Sequence, residues 1–312
     1  MMEKTFFKND WLKEAEKHRC GVVKQFAYTL ARPWLSRSNR RHLSPSLLSA
    51  HKPSLVLGAR GIPVEFRRKW AIRRTPIQDA TILIQGTGTG WEVLTWAPLK
   101  PHAIIATDLF DFQDSWSEIK QYVEGRYRVQ TEFRQAPLED HSFLPDGSID
   151  LCASDAVFEH CQDLPSVLRE SFRVLKPGGV LYASYGPMWY AACGDHFSGR
   201  GGSDTVYNHL LLDADAYRRY FQEHLASEED FQSGGRYVEL DLFSKLTTDQ
   251  YVRYFTDAGF LVDEIILIVS VPGIEFKERN PDRFGQLVEK YAGICVPDDF
   301  LIVGNCVRLL KP

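Results

Sequence analysis

An α/β fold built on a doubly wound, mostly parallel sheet is what this 312-residue sequence predicts. Three observations carry that prediction. From residue 79 onward, short runs of β-formers alternate with helix-like segments, the rhythm of parallel strands joined by crossover helices. The first of these runs, 81–85, leads into Gly86, Gly88 and Gly90, and helix-compatible residues follow at once. The second run ends on a carboxylate, Asp108, 22 residues after Gly86.

Each element follows from a local pattern. Residues 3–30 place Phe7, Trp11, Ala15, Val22, Phe26 and Leu30 at helical spacing, and Arg32-Pro33 is expected to end that helix. Residues 32–78 are basic, dotted with Ser and Pro and less periodic, and read as an extended or partly helical arm. Strands are predicted at 81–85, 103–107, 127–134, 149–154 and 180–184, with helices at 116–125 and 164–175 between them. The turn Pro145-Asp146-Gly147-Ser148 introduces the fourth strand, and Lys176-Pro177-Gly178-Gly179 precedes the fifth. Residues 186–236, rich in Gly, His, Tyr and Asp, interrupt the rhythm as a lid insertion. A helix at 248–258 with Gly259 as its C-cap leads into strand 260–271, and an antiparallel last strand at 300–309 completes seven. The expected organisation is therefore a helical, basic cap at 1–78 and an α/β domain at 79–312.

Composition narrows the function classes. Apolar content of 44% and charged content of 25% suit a globular protein with a full core. The longest apolar stretch, 260–271, contains Asp263 and Glu264, so no membrane span is expected. The N-terminus is charged from Glu3 and lacks a signal-peptide core. Six scattered cysteines without a C-x-x-C pair suggest reduced thiols and a cytoplasmic setting. The net charge of −4 hides an asymmetry: residues 1–78 hold 17 Lys and Arg against 5 Asp and Glu, and the remainder 20 against 36. Either the basic segment docks on the acidic domain or it attracts an anionic partner.

A strand running into a glycine turn and a helix presents bare backbone N–H groups to a nucleotide-like ligand. A carboxylate about 20 residues later is placed to accept from ribose hydroxyls. Alone, Asp108 reads equally well as a cap of the next turn; beside the glycines, the ribose role gains weight.

The ordered set of residues 82–94, Asp108, Asp146-Gly-Ser-Ile-Asp150, Asp155-Ala-Val-Phe-Glu159-His160 and Arg173-Val-Leu-Lys-Pro-Gly-Gly-Val180 resembles the small-molecule branch of the class I S-adenosylmethionine-dependent methyltransferases. The match covers about 79–185, with 247–260 echoing a late helix and strand. The resemblance implies a Rossmann-like sheet, S-adenosylmethionine as cofactor and S-adenosylhomocysteine as product. It places Gly86, Gly88 and Gly90 along the methionine and ribose, Asp108 on the ribose diol and the Ala136 loop beside adenine. Asp155 would face the methionine end and the substrate. Two positions depart from the pattern: Ile84 stands where the family has an acid, and Pro137 in the adenine loop has no N–H. A hydride-transfer reading is disfavoured, because the glycines run G-x-G-x-G and the Lys176-Pro-Gly-Gly turn is not a dehydrogenase feature.

Methyl transfer is an in-line displacement, so positioning dominates, and an alcohol nucleophile also needs a base. The expected bases are His196, then His209, then His160, with a structural role as the alternative for each. Asp195 need not orient His196, since adjacent residues often point apart. Tyr185 and Tyr190 either frame an aromatic substrate pocket or pack the lid. Arg73, with Arg60, Arg67, Arg68 and Arg74, would hold a phosphate or carboxylate on an anionic acceptor. No metal is expected, because Asp195, His196 and His209 match no compact ligand spacing. Nucleic acid is not expected as a partner; the N-terminal helix suggests a subunit contact, hence a homodimer. The predicted activity is O-methylation of a small biosynthetic metabolite with a histidine base. N- or C-methylation, a non-catalytic binding or regulatory protein, and RNA modification remain as alternatives.

Overall fold

A computed structural model describes residues 20–58, 62–225 and 235–312. The first part of the predicted N-terminal helix and Arg60 lie outside them. Eight strands form one sheet in the order β1-β7-β8-β6-β5-β2-β3-β4. They are β1 (Leu55–Gly58), β2 (Thr81–Gln85), β3 (Ala103–Asp108), β4 (Gln130–Gln135), β5 (Ile149–Asp155), β6 (Leu175–Tyr185), β7 (Leu261–Val269) and β8 (Ile302–Leu310). All neighbours run parallel except β8, which is antiparallel to both β6 and β7. The principal helices are α1 (Val22–Asn39), α2 (Pro45–His51), α3 (Val64–Ala71), α4 (Gln113–Tyr127), α5 (Leu164–Val174), α6 (Ala214–His224), α7 (Thr248–Asp257), α8 (Val271–Arg279) and α9 (Pro281–Lys290).

Alternation along β2 sorts the core into two layers. Leu83 joins a cluster with Val167 and Leu168 of α5 and Tyr251 and Phe255 of α7. Ile82 and Ile84 face the opposite cluster, with Trp70 of α3, Trp96, and Ile119 and Val123 of α4. Gly259 sits at φ +96° just past α7, as a C-capping glycine does.

Two expectations are corrected. The sheet has eight strands rather than seven, because Leu55–Gly58 pairs in parallel with β7 at the edge. Four residues inside a basic, proline-dotted stretch carry too little pattern to announce a strand. Helix α1 also runs through Pro33 instead of ending there. Tertiary anchors override the local breaker: Ser36 Oγ accepts from the Val56 N–H at 2.9 Å, and Asn39 Nδ2 donates to the Val56 carbonyl at 3.2 Å. Upstream, α1 leaves Val22, Phe26, Leu30 and Trp34 between 65% and 81% exposed.

The Lys176-Pro-Gly-Gly segment forms an irregularity near the start of β6. The β5 register jumps from Ile149↔Leu175 to Leu151↔Val180 across it. Strand connections change direction between β5 and β2, and a cleft opens beyond the C-terminal ends of these strands, the usual ligand position in such sheets. No helix among the described residues is long and apolar enough to cross a membrane.

Candidate active site

The cleft measures about 550 Å³ and is bounded by Gly86 and Gly88 after β2, Asp108 at the end of β3, Leu138 after β4 and Ala156 after β5. Gly86 stands at φ +73°, and a Cβ there would lie 2.4 Å from Val157, so only glycine lets the β2 and β5 loops meet. Gly88, at φ +52°, has open space where a Cβ would project, leaving its backbone bare to the cleft. Gly90 does other work: its missing Cβ admits Phe133, 2.8 Å away, and it is absent from the cleft wall.

Asp108 accepts from the Gly88 N–H at 2.7 Å and the Phe110 N–H at 3.0 Å. Burial raises its pKa above the ordinary carboxylate value despite these bonds. An ionised carboxylate has about four lone-pair sites, so two remain to receive a ligand's hydroxyl pair. An open glycine backbone beside such a carboxylate fits the ribose of S-adenosylmethionine. The next loop contributes Pro137, Leu138 and Glu139 to the wall, while Ala136 lies just behind, its N–H bonded to the Asp108 carbonyl at 2.9 Å.

Asp155 stands elsewhere. It is 6% exposed and forms no part of the cleft wall. Arg67 Nη1 meets it at 3.0 Å, Arg68 closes a second ion pair, and the Tyr182 hydroxyl donates to it at 2.6 Å. Burial alone would raise its pKa, but Arg68 and Arg67 outweigh that and hold the carboxyl below its usual value. The expectation that Asp155 faces the cofactor is corrected: the two arginines claim both of its oxygens.

The basic segment continues this way. Arg74 pairs with Asp263 at 2.7 Å and Arg73 with Glu264 at 3.6 Å, on the β7 side of the sheet. Arg73 borders a separate hollow with Gln25, Tyr28 and Arg32 and does not reach the cleft. Tyr185 is 2% exposed, packed 4.5 Å from the Tyr251 ring, and its hydroxyl accepts from Asn305 Nδ2 at 3.3 Å. Tyr190 packs against Tyr291 at 5.7 Å. These three substrate candidates therefore sit in packing or ion-pair positions outside the cleft lining.

The histidines divide. His209 is held at both ring nitrogens, by Ser198 Oγ at 3.1 Å and by the Trp189 carbonyl at 2.8 Å, with Asp195 3.7 Å away. Asp195 itself accepts from the Ser198 N–H at 2.8 Å and the Tyr217 hydroxyl at 2.5 Å, tying down the lid loop. His196 points away from this knot, its ring centroid 4.8 Å from that of His160. Only His160 of the three lines the cleft. Its Nδ1 lies 2.7 Å from the Leu242 carbonyl, which can only accept, so Nδ1 carries the proton and Nε2 is left with a lone pair. Burial lowers the pKa of His160, and burial with the neighbouring His160 lowers that of His196 to about 3. Both rings are neutral at pH 7.

Sequence reasoning missed Tyr237, whose ring stacks on His160 at 4.2 Å and lines the cleft. No spacing rule links residues 77 apart across an insertion. It also missed the strained Ala156, at φ +57°, which turns the chain at the cleft edge.

Residues 83–183 match a family model described as a methyltransferase domain. The chain is 31% identical over 103 residues to malonyl-[acyl-carrier protein] O-methyltransferase of Serratia marcescens, covering 33% of this chain and 37% of that one. It is 48% identical over 58 residues to an arsenite methyltransferase of Aquipseudomonas alcaligenes, covering 18% and 17%. The matches thus span little more than a third of these curated relatives at most. Among solved structures, geranyl diphosphate C-methyltransferase of Streptomyces coelicolor A3(2) superposes with a TM-score of 0.49 at 13% identity, over 80% of this chain and 78% of that one.

Proposed function

We propose that this chain, whose residues 83–183 match a methyltransferase-domain model, is a class I S-adenosylmethionine-dependent methyltransferase that transfers a methyl group to an oxygen of a small-molecule acceptor. The cofactor supplies an electrophilic methyl group on a sulfonium. Asp108 would hold the ribose hydroxyls, with the Gly88 backbone and Leu138 lining the rest of the nucleoside's place in the cleft. The cleft of about 550 Å³ is of the size that encloses small ligands rather than a polymer.

The observation that carries the oxygen reading is the His160 imidazole: neutral, on the cleft wall, its tautomer set by the Leu242 carbonyl. A hydroxyl acceptor must lose its proton as the new bond forms, whereas an amine needs only to arrive neutral. The proton leaves toward the His160–His196 pair, and Tyr237 holds the His160 ring in plane by stacking.

Replacing His160 by Ala is expected to lower kcat about 10²- to 10⁴-fold. Binding of S-adenosylmethionine, followed by calorimetry, should stay within a few-fold of wild type. Full turnover in both His160→Ala and His196→Ala would instead assign the methyl group to nitrogen or carbon. Absence of binding heat with either S-adenosylmethionine or S-adenosylhomocysteine would reduce the chain to a binding or regulatory protein that has lost the donor.

A further inference from the structure

Behind the His160 wall of the cleft three ligand atoms converge. One carboxylate oxygen of Glu159 and one ring nitrogen each of His160 and His196 lie within 4.8 Å of one another. Glu159 is 2% exposed and meets only backbone N–H groups, its own and that of Gly186, with no side-chain partner, while His196 Nε2 is buried and unpartnered. No ion pair to Glu159 occurs among the described residues. A buried carboxylate without a counter-charge, beside a buried imidazole nitrogen without any partner, is a costly arrangement that folded proteins keep only for a reason. His160 adds the feature that metal-bound imidazoles share: its far nitrogen donates to a backbone carbonyl, at 2.7 Å, which aims the other lone pair.

We propose that Glu159, His160 and His196 form a binding site for a divalent transition-metal ion, open on the cleft side. One carboxylate oxygen and two imidazole nitrogens favour Zn²⁺ or Fe²⁺ over Mg²⁺ or Ca²⁺, which prefer all-oxygen shells. With bonds of about 2.1 Å, a tetrahedral ion sets its ligand atoms roughly 3.4 Å apart, so loading draws the three side chains inward from their present separation. The alternative set of Asp195, His196 and His209 is not available, because Asp195 and His209 are consumed by the lid-loop hydrogen bonds. Loading would take up the lone pairs of His160 and His196, so an ion reached past the His160 wall would replace His160 as the group that activates the acceptor. It would bind the acceptor oxygen and lower the pKa of its hydroxyl, the proton leaving to solvent. That role rests on the methyl-transfer reading; the ion's binding does not.

The test uses the full chain without an affinity tag, stripped with a chelator and titrated with Zn²⁺ by calorimetry, and with Co²⁺ by its visible absorption. One ion per chain is expected. Glu159→Gln and His196→Ala should each weaken uptake at least tenfold, while His102→Ala, an exposed imidazole, leaves it unchanged. Circular dichroism shows whether each variant keeps its fold, and Glu159→Gln preserves the side chain's size. No stoichiometric uptake by the wild type, or uptake equally strong in Glu159→Gln and His196→Ala, overturns the proposal. Neither donor nor acceptor is present in the titration. Uptake without turnover therefore retains the ion site and removes the methyl-transfer reading. Turnover in stripped protein that takes up no ion does the reverse.

Discussion

Asp155, the last residue of β5, and Glu159, four residues beyond it, are 6% and 2% exposed and meet opposite fates. Asp155 turns toward α3, where Arg67, Arg68 and the Tyr182 hydroxyl surround it. Glu159 finds no cation among the described residues, only backbone N–H groups at Glu159 itself and Gly186, and burial outweighs these and pushes its pKa up to about 8. The first acid is part of the scaffold. The second sits against the cleft wall in a state that only a proton or a cation relieves. The contrast also explains the charge asymmetry. Much of the positive charge of residues 64–74 is neutralised internally, by Asp155, Asp263 and Glu264.

The largest expected effect breaks the Asp155 side. Arg68 has a side chain 3% exposed, and its guanidinium also lies 4.4 Å from the Trp96 ring. Removing it leaves a buried charge half-compensated, and Arg68→Met should destabilise the fold by about 3–5 kcal/mol in urea titrations. The sign with pH follows from the lowered pKa of Asp155. Its contribution is present above the unfolded value of about 3.9 and disappears as pH falls through the folded one. The wild type should therefore lose stability in acid faster than Arg68→Met does. A loss below about 1 kcal/mol in Arg68→Met would mean that Arg67 alone satisfies the acid.

Asp108 carries the next effect. Its two remaining acceptor sites would take hydrogen bonds to a charged group, each worth about 1.5–3 kcal/mol, so Asp108→Ala, which removes both, should weaken S-adenosylmethionine binding roughly 10²- to 10⁴-fold. Because burial raises its pKa in the free protein, affinity should begin to fall at a higher pH than an ordinary aspartate would dictate. Calorimetry across the acid range reads this directly. A flat profile would remove Asp108 from the ribose.

On the Glu159 side the expected sign reverses. A carboxyl whose folded pKa lies near 8 contributes most below its unfolded value of about 4.3, and that contribution is lost as pH rises through the folded one. At pH 7 the unfolded carboxyl is ionised and the folded one mostly protonated, so folding must take up a proton at a cost in stability, and Glu159→Gln in metal-free protein should be more stable by about 1–3 kcal/mol. Functional sites often show such gains on mutation. Thermal melts of stripped protein at pH 5 and pH 8 test it. An equal difference at both pH values would show that Glu159 does not titrate in that window.

The same contrast marks what was legible in the sequence. Gly86, Gly88 and Asp108 belong to a strand-turn-helix unit and the strand beside it, so spacing alone placed them together. The sheet was legible for the same reason, since β2, β3, β5 and β6 each carry a buried apolar run. Gly90 fits the pattern yet packs on Phe133 of β4, because sequence spacing does not distinguish bareness toward a ligand from bareness toward a neighbouring strand. The other half of the cleft was not legible. His160, His196, Tyr237 and Leu242 come from three segments, and only tertiary packing brings them together. Asp155 was misplaced because its partners, Arg67 and Arg68, lie almost 90 residues upstream in a segment with no recognisable strand.

The smallest expected effect concerns Arg73. Its side chain is 50% exposed and lies 3.6 Å from Glu264, itself also bonded by Arg308 at 3.0 Å. Solvent screens such a pair, and Glu264 keeps a buried cation without it, so Arg73→Ala should cost less than about 1 kcal/mol. Turnover and cofactor affinity should not change, because Arg73 borders the hollow beside α1 rather than the cleft. A specific rise in KM with stability intact would mean that an anionic acceptor reaches across the sheet edge to this guanidinium. The N-terminal segment would then serve the substrate as well as the scaffold, and the division drawn between the two acids would no longer describe the molecule.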